Sequence, residues 1–416
     1  MAKKIEIEEK YFCDDHKGLK DVIKKLGFEK KKEEVEIDEY FTDINGEYVK
    51  NRTCLRIRTN SSLNAELTFK GKSKSFGHFF VKGESNVNFS KKEKNDMVEM
   101  LEAIGFHSYT IVDKKRITFE KEENGLVYSI LIDTLKNIGD FVEFEILSDQ
   151  DYDVDFLKKN MEDFMKNFEN LNFEVAKLPY RDYVAKNIFK KISGNHQIKG
   201  ILFDLDGTLI NSEKAFFNSF KKVLKDIYGT SITESEYVSN ELEKNANLIK
   251  YLKENNRLDA SHEEKKIMEN VYSEYEIQLE NLLKEADVVT NFELIKKIKE
   301  KGISVSLVTT SPRRFINILE EVLEIEGLFD QVICREDVEK LKPDPMAYSL
   351  AINNLPINKN NLIAIEDSPR GIISAKEAGL EVIKVTNYSL KSKKVEGIIE
   401  VDSVARLLLI LLNYES

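Results

Sequence analysis

Two short stretches of the chain place acids where they could do chemistry. In "FDLDGT" (203–208) an apolar run ends in Asp204 and Asp206, and Gly207 and Thr208 then turn the chain. Two aspartates one residue apart can serve as nucleophile and proton donor. A lone DxDG is also an ordinary Asx-rich turn after a strand. In "KIEIEEKYF" (4–12) Glu6, Glu8 and Lys10 alternate with Ile5, Ile7 and Tyr11. A strand repeats every two residues, so these three share one face. Such a row is either a solvated edge or a site for a metal ion or a phosphate.

Three further pieces follow the aspartate pair in order. "LVTTS" (307–311) ends an apolar run in hydroxyls, "LKPDP" (341–345) holds Lys342 beside a proline, and "IAIEDSPRG" (363–371) ends another run in Glu366 and Asp367. The ExExK row also has company. "TCLRIRT" puts Arg56 and Arg58 on one strand face, "NAELTFKGK" does so with Lys70 and Lys72, and "VDKKRITF" with Lys114 and Arg116. "ILID" ends in Asp133, and "DFVEFEI" sets Glu143 and Glu145 against Val142, Phe144 and Ile146. Any one such strand is explained by a solvated outer face. Taken together, a closed barrel could turn the charged faces inward. Its lumen would then offer basic groups to a chain of phosphates and carboxylates to a divalent metal.

The elements that must position these residues differ between the two halves. Residues 1–190 carry short alternating runs separated by polar turns such as "DINGE" and "EENG", with helical stretches at 16–26, 90–104 and 155–168. This is the pattern of an α+β antiparallel barrel or curved sheet with flanking helices. A small, polar segment at 191–198 reads as a linker. From 199 to 416 apolar runs alternate with helical patterns, which predicts a parallel α/β sheet. The Glu-, Lys-, Asn- and Leu-rich tract at about 213–290 reads as an inserted helical cap.

Composition narrows the function. The 416 residues carry a formal net charge of −11, which disfavours broad nucleic-acid binding. The three cysteines are scattered without CxxC pairing, as in a reducing compartment, and the five histidines do not cluster into a zinc site. No apolar leader or run of about 20 apolar residues is present, so a soluble, cytoplasmic protein without a membrane partner is expected. No GxxxxGK[ST] occurs, so phosphate chemistry must be built another way.

The four motifs from "FDLDGT" to "IAIEDSPRG" together resemble the haloacid dehalogenase-like phosphohydrolases over residues 198–416, in the branch of phosphoglycolate phosphatases, pyrophosphatases and β-phosphoglucomutases. The resemblance implies that Asp204 attacks phosphorus and becomes an aspartyl phosphate, and that Asp206 protonates the leaving oxygen and then activates water. It implies Mg2+ on Asp204, the Asp206 carbonyl and Asp367, with Glu366 nearby. Thr309, or the adjacent Thr310, would hold a phosphoryl oxygen, and Lys342 would offset the negative charge. Mutases of the branch carry a cap histidine where Phe216 stands, which favours hydrolysis here.

The N-terminal strands resemble the CYTH family of triphosphate tunnel enzymes over about residues 1–190. ExExK, "YFTD", "LRIR", "LTFKGK", "KKR", the Asp133 strand and "EFE" fall in the family's order. The resemblance implies metal ligation by Glu6, Glu8, Glu143 and Glu145, with Asp133 a further candidate, for Mg2+ or Mn2+. It implies phosphate binding by Lys10, Arg56, Arg58, Lys70, Lys114 and Arg116, with Lys72 and Lys177 as extras. The expected protein is a bifunctional phosphate hydrolase: a triphosphatase joined to a phosphatase that acts through an aspartyl phosphate. Its partners would be small phosphorylated metabolites, inorganic polyphosphate or nucleotide. The alternatives are an adenylate cyclase or a polyphosphate or nucleotide sensor in the N-terminal half, and a pyrophosphatase or sugar phosphomutase in the C-terminal half.

Overall fold

A computed structural model describes residues 5–71, 74–76, 79–81, 84–148, 154–194, 196–243, 248–388 and 397–414. The side chain of Glu6 and the whole of Lys72 lie outside the described residues. The chain divides into two compact units: Met1–Lys190 with Leu409–Glu415, and Lys191–Leu408. Among the described residues no helix is long and apolar enough to cross a membrane.

The first unit is built on an eleven-stranded sheet whose pairs are all antiparallel. Its strands are β1 (Ile5–Phe12), β2 (Glu29–Asp43), β3 (Cys54–Thr59), β4 (Asn64–Lys70), β5 (Lys74–Phe76), β6 (Phe79–Val81), β7 (Glu84–Ser90), β8 (Phe106–Glu123), β9 (Leu126–Leu135), β10 (Gly139–Ser148) and β11 (Glu174–Val175). They are ordered β5-β6-β1-β10-β9-β8-β2-β3-β4-β7, with β11 on β1. Two-residue alternation does what the sequence predicts. On β3, Leu55, Ile57 and Thr59 are buried while Arg56 and Arg58 take the other face. The apolar faces of β1, β9 and β10 pack through Ile7, Ile130, Val142, Phe144 and Ile146 on helices His16–Lys25 and Val154–Met165. The charged faces turn the other way, and the sheet curls so that β1, β3, β4, β7, β8 and β10 line one cavity.

The second unit holds a parallel six-stranded sheet. Its strands are β12 (Gly200–Phe203), β13 (Ser304–Val308), β14 (Gln331–Ile333), β15 (Leu362–Glu366), β16 (Glu381–Val385) and β17 (Ile399–Val401), in the order β14-β13-β12-β15-β16-β17. β12 and β15 are buried along their length, as the unbroken apolar runs of a covered parallel sheet require. Between β12 and β13 the chain forms helices Ser212–Tyr228, Leu248–Glu254 and Glu264–Leu282, which close an apolar cluster of their own around Phe220, Leu224, Leu252 and Val271. The next helix, Ala286–Glu300, packs on β13 instead.

Candidate functional sites

In the second unit the predicted acids and Thr309 lie at the carboxyl ends of central strands, where open α/β sheets bind ligands, while Lys342 reaches them from the loop before helix Met346–Asn354. Asp204 follows β12, Thr309 follows β13, and Glu366 closes β15 with Asp367 next. Lys342 Nζ lies 2.6 Å from Asp204 Oδ1, 2.6 Å from Glu366 Oε1 and 2.8 Å from the Val308 carbonyl. Tyr348 donates to Glu366 at 2.7 Å, and Thr208 donates to Asp204 at 3.1 Å. Asp206 accepts from Thr309 at 3.0 Å and from Ser311 at 2.7 Å. Gly207 has a φ of +79°, and a Cβ there would meet the Asp367 carboxylate at 2.3 Å. A Cβ on Gly371 would meet Glu366 at 2.0 Å.

Burial, then repulsion from Glu366, pushes the Asp204 carboxyl up to about 8 despite Lys342. Burial, Asp204 and Glu366 hold Asp367 well above the carboxylate range. Burial works against the Lys342 ammonium, but its two carboxylates outweigh it and raise the lysine. One ammonium is too little for this cluster. Oxygens of Asp204, Glu366 and Asp367 lie within 4.8 Å of one another, an all-oxygen set that fits a hard divalent cation such as Mg2+.

Beside this cluster a pocket of about 320 Å3 is lined by Asp206, Thr310 and Arg314 on the sheet side and by Phe216, Tyr272 and Tyr275 on the helical side. Phe216 lies 5.7 Å from Tyr272 and 5.2 Å from Tyr275, ring centre to ring centre. Thr310, the alternative to Thr309, is the hydroxyl that lines the pocket, while Thr309 is buried against Asp206.

The cavity of the first unit measures about 360 Å3. It gathers Glu8, Lys10, Arg56, Arg58, Lys70, Lys114, Arg116, Glu143, Glu145 and Lys177. Strand register explains the grouping: Glu8 stands opposite Glu145, and Lys10 opposite Glu143, with Lys10 Nζ 3.1 Å from Glu143. Arg116 stands opposite Asp133 and grips it with Nε at 2.7 Å and Nη2 at 2.5 Å, and Nη2 also reaches Glu143 at 2.6 Å. Burial would raise the Glu143 carboxyl, but Lys10, Arg116 and Lys114 hold it well below the usual range. Asp133 is fully buried, does not line the cavity, and is shared between Arg116 and the Tyr180 hydroxyl at 2.8 Å.

Four positions at or behind this cavity lay outside the predicted set. Glu36 and Asp38 of β2 sit behind the cations: Asp38 takes Arg58 at 2.6 and 2.8 Å and lies 3.5 Å from both Arg56 and Lys114, while Glu36 meets Arg58 and Lys114 at 3.2 Å. The signal was present, since Glu34, Glu36 and Asp38 alternate like ExExK within "EEVEIDE". Tyr180, from "KLPYRDY", places its ring 4.1 Å from Lys10 Nζ and 5.3 Å from Lys114 Nζ. Arg52 also lines the cavity, and no local pattern marks it.

Comparison with known proteins matches each half of the chain to a family. The haloacid dehalogenase-like hydrolase family matches residues 201–385, and the CYTH domain matches residues 4–177. The phosphorylated carbohydrates phosphatase of Thermotoga maritima is 31% identical over 218 residues, which are 50% of this chain and 93% of that protein. Pyrophosphatase PpaX of Bacillus mycoides is 26% identical over 200 residues, 47% of this chain and 87% of its own length. Among solved structures, CbbY from Rhodobacter sphaeroides in complex with phosphate aligns with a TM-score of 0.42 and 23% identity, covering 51% of this chain and 96% of that one.

Proposed function

Because this chain belongs to the haloacid dehalogenase-like hydrolases and carries a CYTH domain, we propose that it is a bifunctional, divalent-metal-dependent phosphate hydrolase with one site in each unit. In the second unit the reading rests on one observation: Lys342 holds Asp204 while Thr309 and Ser311 hold Asp206. Asp204 attacks phosphorus of a phosphomonoester or pyrophosphate. The bond from phosphorus to the leaving oxygen breaks as the Asp204 oxygen–phosphorus bond forms. Asp206 gives its proton to the leaving oxygen, then takes one from the water that cleaves the aspartyl phosphate. Thr310 contacts a phosphoryl oxygen, and Lys342 offsets the charge gathered at phosphorus. Asp204, Glu366, Asp367 and the Asp206 carbonyl would hold Mg2+, which when bound lowers the repulsion between carboxylates and phosphate. Phe216, in place of a cap histidine, favours hydrolysis over phosphoryl return to a sugar.

In the first unit, Lys10, Arg56, Arg58, Lys70, Lys114, Arg116 and Lys177 bind a triphosphate: tripolyphosphate, or a nucleoside or thiamine triphosphate. Glu8 and Glu145, with Glu143 and the undescribed Glu6 side chain, would hold Mg2+ or Mn2+, which supplies an activated water when bound. The supporting observation is that these cations line a single cavity together with Glu8, Glu143 and Glu145. The test is phosphate release from tripolyphosphate and from a phosphomonoester panel by the full chain, with and without Mg2+ or Mn2+. Turnover of only one substrate class under both metals would reduce the reading to a single site.

A further inference from the structure

Arg52 has a left-handed backbone, with a φ of 53°. It follows the short helix Glu47–Lys50 and its C-cap Asn51, and its N–H donates to the Val49 carbonyl at 3.1 Å. Helix ends of this kind favour glycine or asparagine, because Cβ otherwise crowds the next carbonyl oxygen. An asparagine stands one residue earlier, yet the arginine occupies the strained place. Of the five described non-glycine residues with a left-handed backbone, three are asparagines. The fifth, Glu324, ends a helix in the second unit and lines neither site.

The strained turn is clamped. Arg181, 2% exposed, donates from Nη2 to the Val49 carbonyl at 3.2 Å and from Nη1 to the Thr53 carbonyl, while its Nε holds Asp182 at 3.0 Å. The two carbonyls flank Arg52 on either side. A buried guanidinium is thus committed to fixing the backbone on both sides of one exposed arginine. That arginine lines the cavity of the first unit, and its guanidinium makes no hydrogen bond or close ion pair among the described residues, its charge reaching Asp182 only through space. Local rules of sequence are broken most often where a site needs the residue.

We propose that Arg52 is a further phosphate contact at the mouth of this cavity, held in its strained conformation by Arg181 so that it meets the exposed end of a bound oligophosphate. This rests on the reading of the cavity as a triphosphate site. Arg52 is exposed, so substitutions there leave the core of the unit intact. The experiment compares the full-length wild type with Arg52→Gly, Arg52→Ala and Arg52→Lys. It reads KM and kcat for tripolyphosphate with Mg2+, calorimetric binding of tripolyphosphate, and the thermal midpoint. Glycine relieves the backbone, so Arg52→Gly is expected to melt at the wild-type temperature or above. Its KM should nonetheless rise about 5- to 20-fold, the scale of one charge-assisted contact at a partly exposed site, with kcat within about twofold. Arg52→Lys should keep KM within about threefold of wild type. A normal KM in Arg52→Gly with a raised midpoint would mean the residue serves only the turn, and the inference falls alone. A wild type that neither binds nor cleaves tripolyphosphate overturns the triphosphate reading and this inference with it.

Discussion

Lys342 and Asp204 are joined by a buried contact of 2.6 Å from Nζ to Oδ1, and the same ammonium is the one cation bonded to Glu366 among the described residues. Removing one partner of a buried ion pair leaves the other charges uncompensated, at a cost of roughly 3–5 kcal/mol. Lys342→Ala should therefore lower the calorimetric midpoint of the second unit by roughly 10 °C in the presence of EDTA. Added Mg2+ should raise the midpoint of the variant more than that of wild type, because the carboxylates then depend on the ion alone. Equal Mg2+ shifts in the two proteins would show that Lys342 and the ion do not share the carboxylates.

The two proposed sites should fail separately. Asp204→Asn removes the attacking carboxylate and should cut phosphomonoester turnover by at least about a thousandfold while leaving tripolyphosphate turnover within about twofold. Glu8→Ala with Glu145→Ala should give the reverse pattern. Phosphate-release assays on both substrates decide the matter, and loss of both activities in Asp204→Asn would rule out separate sites.

Acid should weaken the first unit through Asp38. Burial alone would raise this carboxyl, but Arg58, Arg56 and Lys114 hold it well below the usual range, and Glu36 is lowered in the same way by Lys114, Arg58 and Arg116 against its own burial. A depressed folded-state value contributes stability that is present above the unfolded value, about 3.9 for aspartate, and is lost as pH falls through the folded value. Urea unfolding of the wild type should therefore show stability falling steeply below about pH 4. Asp38→Asn should be less stable at pH 7 and shallower in this acid limb. Parallel acid limbs would place the pH dependence elsewhere.

Tyr180→Phe keeps the ring between Lys10 and Lys114 but removes the hydroxyl that donates to Asp133 at 2.8 Å. Among the described residues Asp133 then keeps only its hydrogen bonds from Arg116. Loss of a buried hydrogen bond to a charged group is worth roughly 1.5–3 kcal/mol. Part of that loss should appear as a looser Arg116, with KM for tripolyphosphate up about 5-fold and the pH–rate profile unchanged. A KM equal to wild type would make the hydroxyl a purely structural feature.

The two sites were not equally open to inspection in the sequence. The second unit was legible because the proposed acids sit at the ends of apolar strands, so "FDLDGT" and "IAIEDSPRG" each carry both the candidate groups and the element that positions them, while Lys342 of "LKPDP" reaches them from a loop. The first unit was legible where residues alternate in pairs, as in Arg56 and Arg58 or Glu143 and Glu145. β2 was harder. Its 15 residues begin "EKKKEE", polar on both faces, and only from Val35 onward does the alternation show. Glu36 and Asp38 were hidden by that start. Asp133 illustrates a different limit. Alternation predicts which face a carboxylate takes, but not that Arg116 stands opposite it and Tyr180 reaches it from 47 residues away. Arg52 had no periodicity to betray it, since its conformation arises from a helix end and from Arg181, far along the chain.

Gly207 and Gly371 leave no room for a side chain, because each backbone lies directly against a carboxylate of the cluster. Any substitution there collides with the carboxylates proposed to hold the metal, so the neighbourhood of Asp367 and Glu366 offers no foothold for gradual change. Phe216, Tyr272 and Arg314 face the pocket and pack through side chains alone, Phe216 on Tyr272 and Arg314 over the Tyr272 ring, so no backbone contact with a carboxylate fixes them. On the proposed function, new substrates would be gained through the side chains that share this pocket with Asp206. A library confined to those three positions should diversify the substrates hydrolysed, whereas one directed at the glycines should yield only inactive chains.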